Sequence, residues 1–448
     1  MDSVIDFNDP NSYVPLLAAA MFGAVTMAVL QMVISNSSIT QKSVISPSVS
    51  KDMDKIKKSV SSKKASDGDD QVSKFAGSKA EALMKDWLDS KQTTKDDRKF
   101  FSKVFNILAK EIEEDMIANF ESPKDAVQWV KKLMKHSVPG GKMNRGLTVV
   151  HTTRTCAQGR SLTPKELYDA AVLGWCVEWL QAFFLVADDV MDSSLTRRGK
   201  DCWYRLDGVG NCAINDSFIL ESHIYRCLRK HFKNSKSDDG SNKYMKIIDL
   251  FHEVTYQTEL GQLLDLTTQP LPPAIPDLKK FTLKRHAEIV KYKTAFYSFY
   301  LPVALGLTLG NIEDESAFEQ ALEICLVMGE YFQVQDDYLD CYGSPEVIGK
   351  IGTDIKDCKC SWLVVNAKNK CTRSQKRILE EHYGKGDNEG SEKAIKKLYN
   401  ELQLENDFEG YEESSYRTIV DLIEQVDENV MPKEIFNQLL KKIYKRKL

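Results

Sequence analysis

The chain has 448 residues, of which 42% are apolar and 28% charged, with a formal net charge of −4. That is enough for one large core plus a tail, and it gives no bulk basic signal for nucleic acid. Its ten cysteines lack paired metal-ligand spacing, since Cys358 and Cys360 have no second close pair, and scattered thiols fit a reducing compartment better than a disulfide framework. The seven histidines share no spacing, and the glycine motifs of nucleophile elbows, P-loops and dinucleotide folds are missing.

In chain order, residues 1–12 are polar and acidic (Asp2, Asp6, Asp9). Residues 13–34 carry no charge, and about 20 apolar residues suffice to span a bilayer. Acidic residues precede this stretch and no Lys or Arg comes before Lys42, which argues against a secretory or mitochondrial leader. The expectation is a transmembrane anchor. Lys42, Lys51, Lys55, Lys57 and Lys58 follow it, so the positive-inside rule places the remainder in the cytosol. Residues 35–80, rich in Ser, Lys and Asp, read as a disordered linker. From 81 to 448 the pattern is helical. Trp87, Phe100, Phe101, Val104, Phe105 and Leu108 recur every three or four residues, and similar periods fill 165–235, 245–265, 278–310, 314–340, 374–385 and 391–445. No run of alternating strands occurs, so an all-α domain, a bundle of long helices, is expected.

Five stretches carry chemistry. Pro139-Gly140-Gly141-Lys142-Met143-Asn144-Arg145-Gly146 puts glycines and two cations beside a helix start, which suits an anion but in isolation is equally an ordinary turn. At 181–192, Gln181 precedes Phe183 and Phe184 and then Asp188, Asp189 and Asp192. Carboxylates at i, i+1 and i+4 repel one another unless a cation lies between them, and Mg²⁺ is commonly shared between carboxylates and substrate phosphates. Read singly, such a cluster is usually a solvated face. The pattern recurs, however, as Gln333, Gln335, Asp336, Asp337 and Asp340. Two such helices would line a cleft with carboxylates, whose natural occupant is a diphosphate held through Mg²⁺. Basic blocks follow at 196–200 (Arg197, Arg198, Lys200) and at the C-terminus (Lys441, Lys442, Lys445, Arg446, Lys447).

With Thr258-Glu259-Leu260-Gly261-Gln262-Leu263-Leu264-Asp265, Tyr292-Lys293-Thr294-Ala295 and the 349–362 stretch from Gly349-Lys350 to Lys359 and Trp362, the 139–146 loop, the two acidic motifs and the C-terminal tail make seven blocks in order. From about residue 92 onward the chain resembles the short-chain trans-prenyltransferase family, its farnesyl diphosphate synthase branch in particular. The resemblance implies the isoprenoid synthase fold, all-α around a central cleft, and a homodimer. It implies Asp188, Asp189 and Asp192 on one wall and Asp336, Asp337 and Asp340 on the other as ligands for three Mg²⁺ ions, with Asp337 the least certain of the six. Arg197, Lys293, Lys350 and Lys359 would hold the allylic diphosphate, with Gln262 and Asp265 extending that site. Lys142, Arg145, Gln181 and Arg198 would hold isopentenyl diphosphate, and the basic tail would close over it. Lys293, Thr294 and Gln333 would stabilise the allylic cation left when diphosphate departs, with Asp188 and Asp336 supporting that departure.

Phe183 and Phe184 lie four to five residues before Asp188, about 6–7.5 Å down the helix, where a growing chain would meet them. The resemblance then implies a fifteen-carbon stop: dimethylallyl and then geranyl diphosphate extended by isopentenyl diphosphate to (E,E)-farnesyl diphosphate. Geranyl and geranylgeranyl diphosphate synthases are alternatives, as is a catalytically silent, membrane-tethered subunit, although both acidic motifs are intact. A cyclase is disfavoured because its second motif differs. Met143, an extra Leu448 and the N-terminal segment depart from the family pattern. The expected location is the endoplasmic reticulum membrane with the catalytic domain in the cytosol; the alternatives are cytoplasmic or organellar.

Overall fold

The computed structural model describes residues 79–236, 240, 242–269, 277–344, 352–386 and 388–445. The expected polar segment at 1–12, the span at 13–34, all but the last two residues of the linker, Lys350 and the final three residues lie outside these. The described residues belong to one unit, 74–448. They are helical apart from turns and one antiparallel ribbon, in which β1 (Thr196–Arg197) pairs with β2 (Lys200–Asp201).

Helix α1 (Lys79–Leu88) leads into α2 (Thr94–Phe120), α3 (Lys124–Ser137), α4 (Asn144–Cys156) and α5 (Pro164–Met191). After the ribbon come α6 (Cys212–Phe232), α7 (Lys243–Thr268) and α8 (Leu283–Val290). A π-helix (Lys291–Tyr300) continues α8 into α9 (Leu301–Leu309), followed by α10 (Glu315–Tyr342). The remainder is α11 (Trp362–Lys370), α12 (Arg373–His382), α13 (Glu389–Glu401), α14 (Leu404–Glu424) and α15 (Glu434–Ile443).

Start signals in the sequence set the long helices. Thr163 accepts from the Glu166 N–H while the Glu166 carboxylate accepts from the Thr163 N–H, a capping box with Pro164 at the first helical position; Thr93 and Asp96 do the same for α2. Helix α5 runs 28 residues and is apolar on every side. It is the one helix among the described residues long and apolar enough to cross a membrane, yet 78% of its apolar window is buried inside the protein. It is the core helix, packed on α4 and α6, with Trp175 stacked on Phe101 at 4.5 Å and donating its indole N–H to the Phe101 carbonyl. A helix buried on all faces reads as apolar all round, and that places its last turn at the head of the core.

Candidate active site

Helices α5 and α10 are each 28 residues long and each ends in its acidic motif, with no basic residue in the last turn. Carboxylates at a helix C-terminus oppose the macrodipole, so their counter-charges must come from other elements. Asp188 accepts from Gln262 Nε2 at 3.0 Å, Lys293 Nζ at 3.4 Å and Arg197 at 3.3 Å. Lys359 Nζ lies 2.7 Å from Asp192 Oδ2 and 3.2 Å from Asp265 Oδ2, and Lys293 Nζ lies 2.6 Å from that same Asp265 oxygen. Six of the sequence-predicted groups thus meet in one partly buried network, with Arg197 closing it.

The protonation equilibria record the crowding. Burial pushes the Asp188 carboxyl up, and the charges of Lys293, Arg197 and Lys359 more than offset it, so its net shift is downward. Asp265 is buried too, but Lys293 and Lys359 hold it well below the carboxylate range. Asp192 goes up, through burial and then the neighbouring Asp188 charge. Lys293 is held charged against its burial by Asp188 and Asp265.

The second acid of each motif is committed elsewhere. Asp189, 3% exposed, accepts from Arg197 Nε at 2.9 Å and its terminal nitrogen at 2.5 Å. Asp337, 6% exposed, accepts from His286 Nε2 at 2.9 Å and the Trp362 backbone N–H at 2.7 Å on one oxygen, and from Gln333 Nε2 at 3.0 Å on the other. In the same motif, Asp340 Oδ1 accepts from the Asp354 backbone N–H at 3.0 Å. Asp336 is half-buried.

The π-helix joins the two walls. Lys293 reaches Asp188 of the first motif, and the next residue, Thr294, donates its hydroxyl to Gln333 Oε1 at 2.8 Å on the second. π-Segments cluster at functional sites because they shift side-chain register within a helix. Close approach holds this one: a Cβ on Gly261 of α7 would run into the Lys293 backbone nitrogen, and one on Gly329 of α10 into Ala295.

On the other side of α5, Arg198 donates to Gln181 Oε1 at 3.3 Å and to the carbonyls of Val138 (3.3 Å), Ser137 and Pro139 (3.4 Å each), and it passes beneath Gly140 and Gly141. Arg145 donates to Ser298 Oγ at 2.9 and 3.0 Å and lies 4.9 Å over the Tyr297 ring. Lys142, at the open end of this loop, is exposed. Beneath the arginines, Glu178 is buried and accepts from the Gly146 N–H at 2.8 Å; burial pushes its carboxyl up. Phe183 and Phe184 stand 4.7 Å apart, and Phe184 packs 5.6 Å from Tyr297. The phenylalanine pair and the Arg145 cation therefore share one tyrosine.

The tail is pinned to the second motif's helix. Gln335 Nε2, one residue before Asp336, donates to the Ile443 carbonyl at 3.2 Å, and the Lys445 N–H lies 3.4 Å from Tyr331 Oη. Lys442 Nζ lies 2.9 Å from His151 Nδ1. Sequence reasoning missed His286, Glu178, Tyr297 and Ser298. The last two follow Lys293-Thr294 by one helical turn, and that spacing was the available signal.

Among the described residues, no three side chains are grouped as ligands for one metal ion; lysine and arginine occupy the spaces between the acids. The donor set nonetheless suits a hard divalent cation, being all carboxylate oxygen. The upward shift of Asp192, from burial and then the neighbouring Asp188 charge, is of the kind that such an ion would relieve.

The polyprenyl synthetase family model matches residues 127–402. A farnesyl diphosphate synthase of Dictyostelium discoideum is 50% identical over 80% of this chain and 92% of its own. A farnesyl pyrophosphate synthase of Saccharomyces cerevisiae is 47% identical over 78% of this chain and 97% of its own. The structure of a T. brucei farnesyl diphosphate synthase complexed with risedronate superposes with a TM-score of 0.71 at 35% identity, covering 79% of this chain and all of that one. With its paired acidic helices and intervening lysines, the chain belongs to the polyprenyl synthetase family and is a prenyltransferase with the helical isoprenoid synthase fold.

Proposed function

We propose that the chain is a farnesyl diphosphate synthase that joins isopentenyl diphosphate head-to-tail to dimethylallyl and then geranyl diphosphate, making (E,E)-farnesyl diphosphate. One observation carries this reading: Lys293 and Thr294, adjacent on a π-helix, address the two acidic walls at once. Lys293, Lys359 and Arg197 bind the allylic diphosphate, with Gln262 and Asp265 orienting the lysines. Asp188, Asp192, Asp336 and Asp340 are the carboxylates that would hold Mg²⁺. When bound, Mg²⁺ neutralises the diphosphate and makes it a better leaving group.

Arg145, Arg198, Lys142 and Gln181 bind isopentenyl diphosphate without metal ions. Ionisation of the allylic carbon–oxygen bond leaves a cation, which the Thr294 oxygen and the Lys293 carbonyl stabilise as oriented dipoles. The isopentenyl double bond attacks that carbon, and the released diphosphate takes the proton lost on closing the new double bond. The tail pinned by Gln335 helps exclude water that would quench the cation. Phe183 and Phe184 stop growth at fifteen carbons.

Product analysis tests this. With Mg²⁺, isopentenyl and dimethylallyl diphosphate, the dephosphorylated product should be farnesol; geranylgeraniol would move the chain to the longer synthases.

A second copy is the proposed partner. Exposed Ile214 and Phe218 on α6 and Tyr256, Leu260 and Leu263 on α7 form apolar stripes at helical spacing. Light scattering at micromolar concentration should give twice the chain mass. We also infer anchoring by residues 13–34 to the cytosolic face of the endoplasmic reticulum, supported by the uncharged stretch and the basic residues after it. A fluorescent fusion of residues 1–80 that stays diffuse would refute it.

A further inference from the structure

The cation-stabilising reading of Thr294 needs its oxygen lone pairs turned toward the cleft, and a hydroxyl can rotate. We propose that Asp337 and His286 are positioning residues that fix this direction through Gln333. The inference rests on the proposed role of Thr294 and deepens it.

The chain of donors runs one way. The Trp362 backbone N–H can only donate, and it meets Asp337 Oδ2 at 2.7 Å beside His286 Nε2 at 2.9 Å. An ionised carboxylate has acceptors only, so the group of Gln333 facing Oδ1 at 3.0 Å is its NH₂. Its carbonyl is then turned to Thr294, whose hydroxyl must donate to it at 2.8 Å. With its proton spent on Gln333, the Thr294 oxygen offers only lone pairs in other directions. His286 on α8, Gln333 and Asp337 on α10 and the first N–H of α11 thus set one hydroxyl on the π-helix. His286 is 4% and Thr294 7% exposed, so both ends of the chain are shielded from water, with Gln333 half-buried between them.

The same geometry explains why the second acid is buried in both motifs. Asp189 anchors Arg197 and Asp337 anchors Gln333. Asp337 also accepts the leading N–H of α11, whose N-cap residue Ser361 makes no side-chain cap.

Asp337→Asn tests the relay. An asparagine side chain has one acceptor, and two donors, one of them fixed backbone, claim it on the Trp362 side. Its NH₂ then faces Gln333, which turns over and presents its own NH₂ to Thr294, so the hydroxyl proton swings toward the cleft. The kcat should fall about 100-fold, at the lower end of the range for losing one oriented group at developing charge. Both KM values and the Mg²⁺ concentration for half-maximal rate should stay within about twofold, since neither substrate contacts nor metal ligands change. In a Thr294→Val background the same substitution should change kcat less than about twofold, because the hydroxyl it acts on is gone.

Additive effects in that cycle would overturn the relay while leaving Thr294 its role. A tenfold rise in the Mg²⁺ requirement would overturn it too, by making Asp337 a metal ligand. A Thr294→Val enzyme at the unsubstituted rate would remove both the reading of Thr294 and the relay. If Asp337→Asn melts below the assay temperature, the cycle of Gln333→Met with Thr294→Val takes its place, and absence of coupling there overturns the last link.

Discussion

The backbone of Lys293 passes so close to Gly261 that the space a Cβ would need on α7 is filled by the Lys293 amide nitrogen. The contact sets how far the π-helix stands from the helix carrying Gln262 and Asp265, and so the reach of Lys293 to Asp265. Gly261→Ala should push the π-helix away. Misplacement of about 1 Å can cost on the order of 100-fold in rate, and overpacking costs about 1–3 kcal/mol of stability. Steady-state kinetics beside a thermal melt would show the rate falling far more than the stability; an unchanged rate would refute the spacing argument.

Phe183 and Phe184 control length if they bound the hydrocarbon end of the site. The double substitution to alanine should shift product beyond fifteen carbons. Phe184 also packs on Tyr297, so a loss of roughly 3–5 kcal/mol per truncated aromatic calls for assay well below the melting temperature. Chromatography of the alcohols decides it: farnesol alone from the double variant defeats this account.

Lys359 spans Asp192 and Asp265, on the side proposed for the allylic diphosphate. Lys359→Met removes a charge-assisted contact worth about 1.5–3 kcal/mol. The KM for the allylic substrate should rise about 10- to 100-fold, with the isopentenyl KM nearly unchanged. Equal rises in both would contradict the division of the cleft into two anion sites.

His223 supplies a pH signature outside the site. It is buried edge-on to Trp179, its Nδ1 has no partner, and burial pulls its pKa down to about 4. The folded state keeps it neutral where the unfolded chain, near 6.5, takes a proton. Its contribution is therefore intact above pH 6.5 and lost as pH falls toward 4, roughly 3 kcal/mol in all. Urea melts of His223→Phe should show that much less acid sensitivity than the parent over this window.

The long helices were legible because their caps and periodicity agree. The acidic motifs were legible because they repeat, and because acids at a helix C-terminus contradict the local electrostatics that sequences otherwise respect. Gln262, Asp265, Lys293 and Lys359, spread over 98 positions of chain, do converge, although only the family pattern could say so, since pairing across distant helices leaves no periodic trace. What the sequence could not reveal was division of labour within a motif. Six aspartates look alike as letters, and only the contacts show Asp189 held by Arg197 and Asp337 by His286, Gln333 and the Trp362 N–H. The π-segment was equally hidden, because the extra residue per turn is imposed by α7 and α10 rather than by the Lys291–Tyr300 composition.

Lys293 and Lys359 rest on Asp188, Asp192 and Asp265 before any substrate arrives. The cleft is thus its own counterion, and an incoming diphosphate must trade partners with groups already satisfied. Bare anions such as inorganic phosphate gain little from that exchange, whereas an anion that brings divalent charge along lets the carboxylates and the lysines each find a new mate. Selectivity against the abundant small anions of a cell is in this way built into the resting network, without a steric filter.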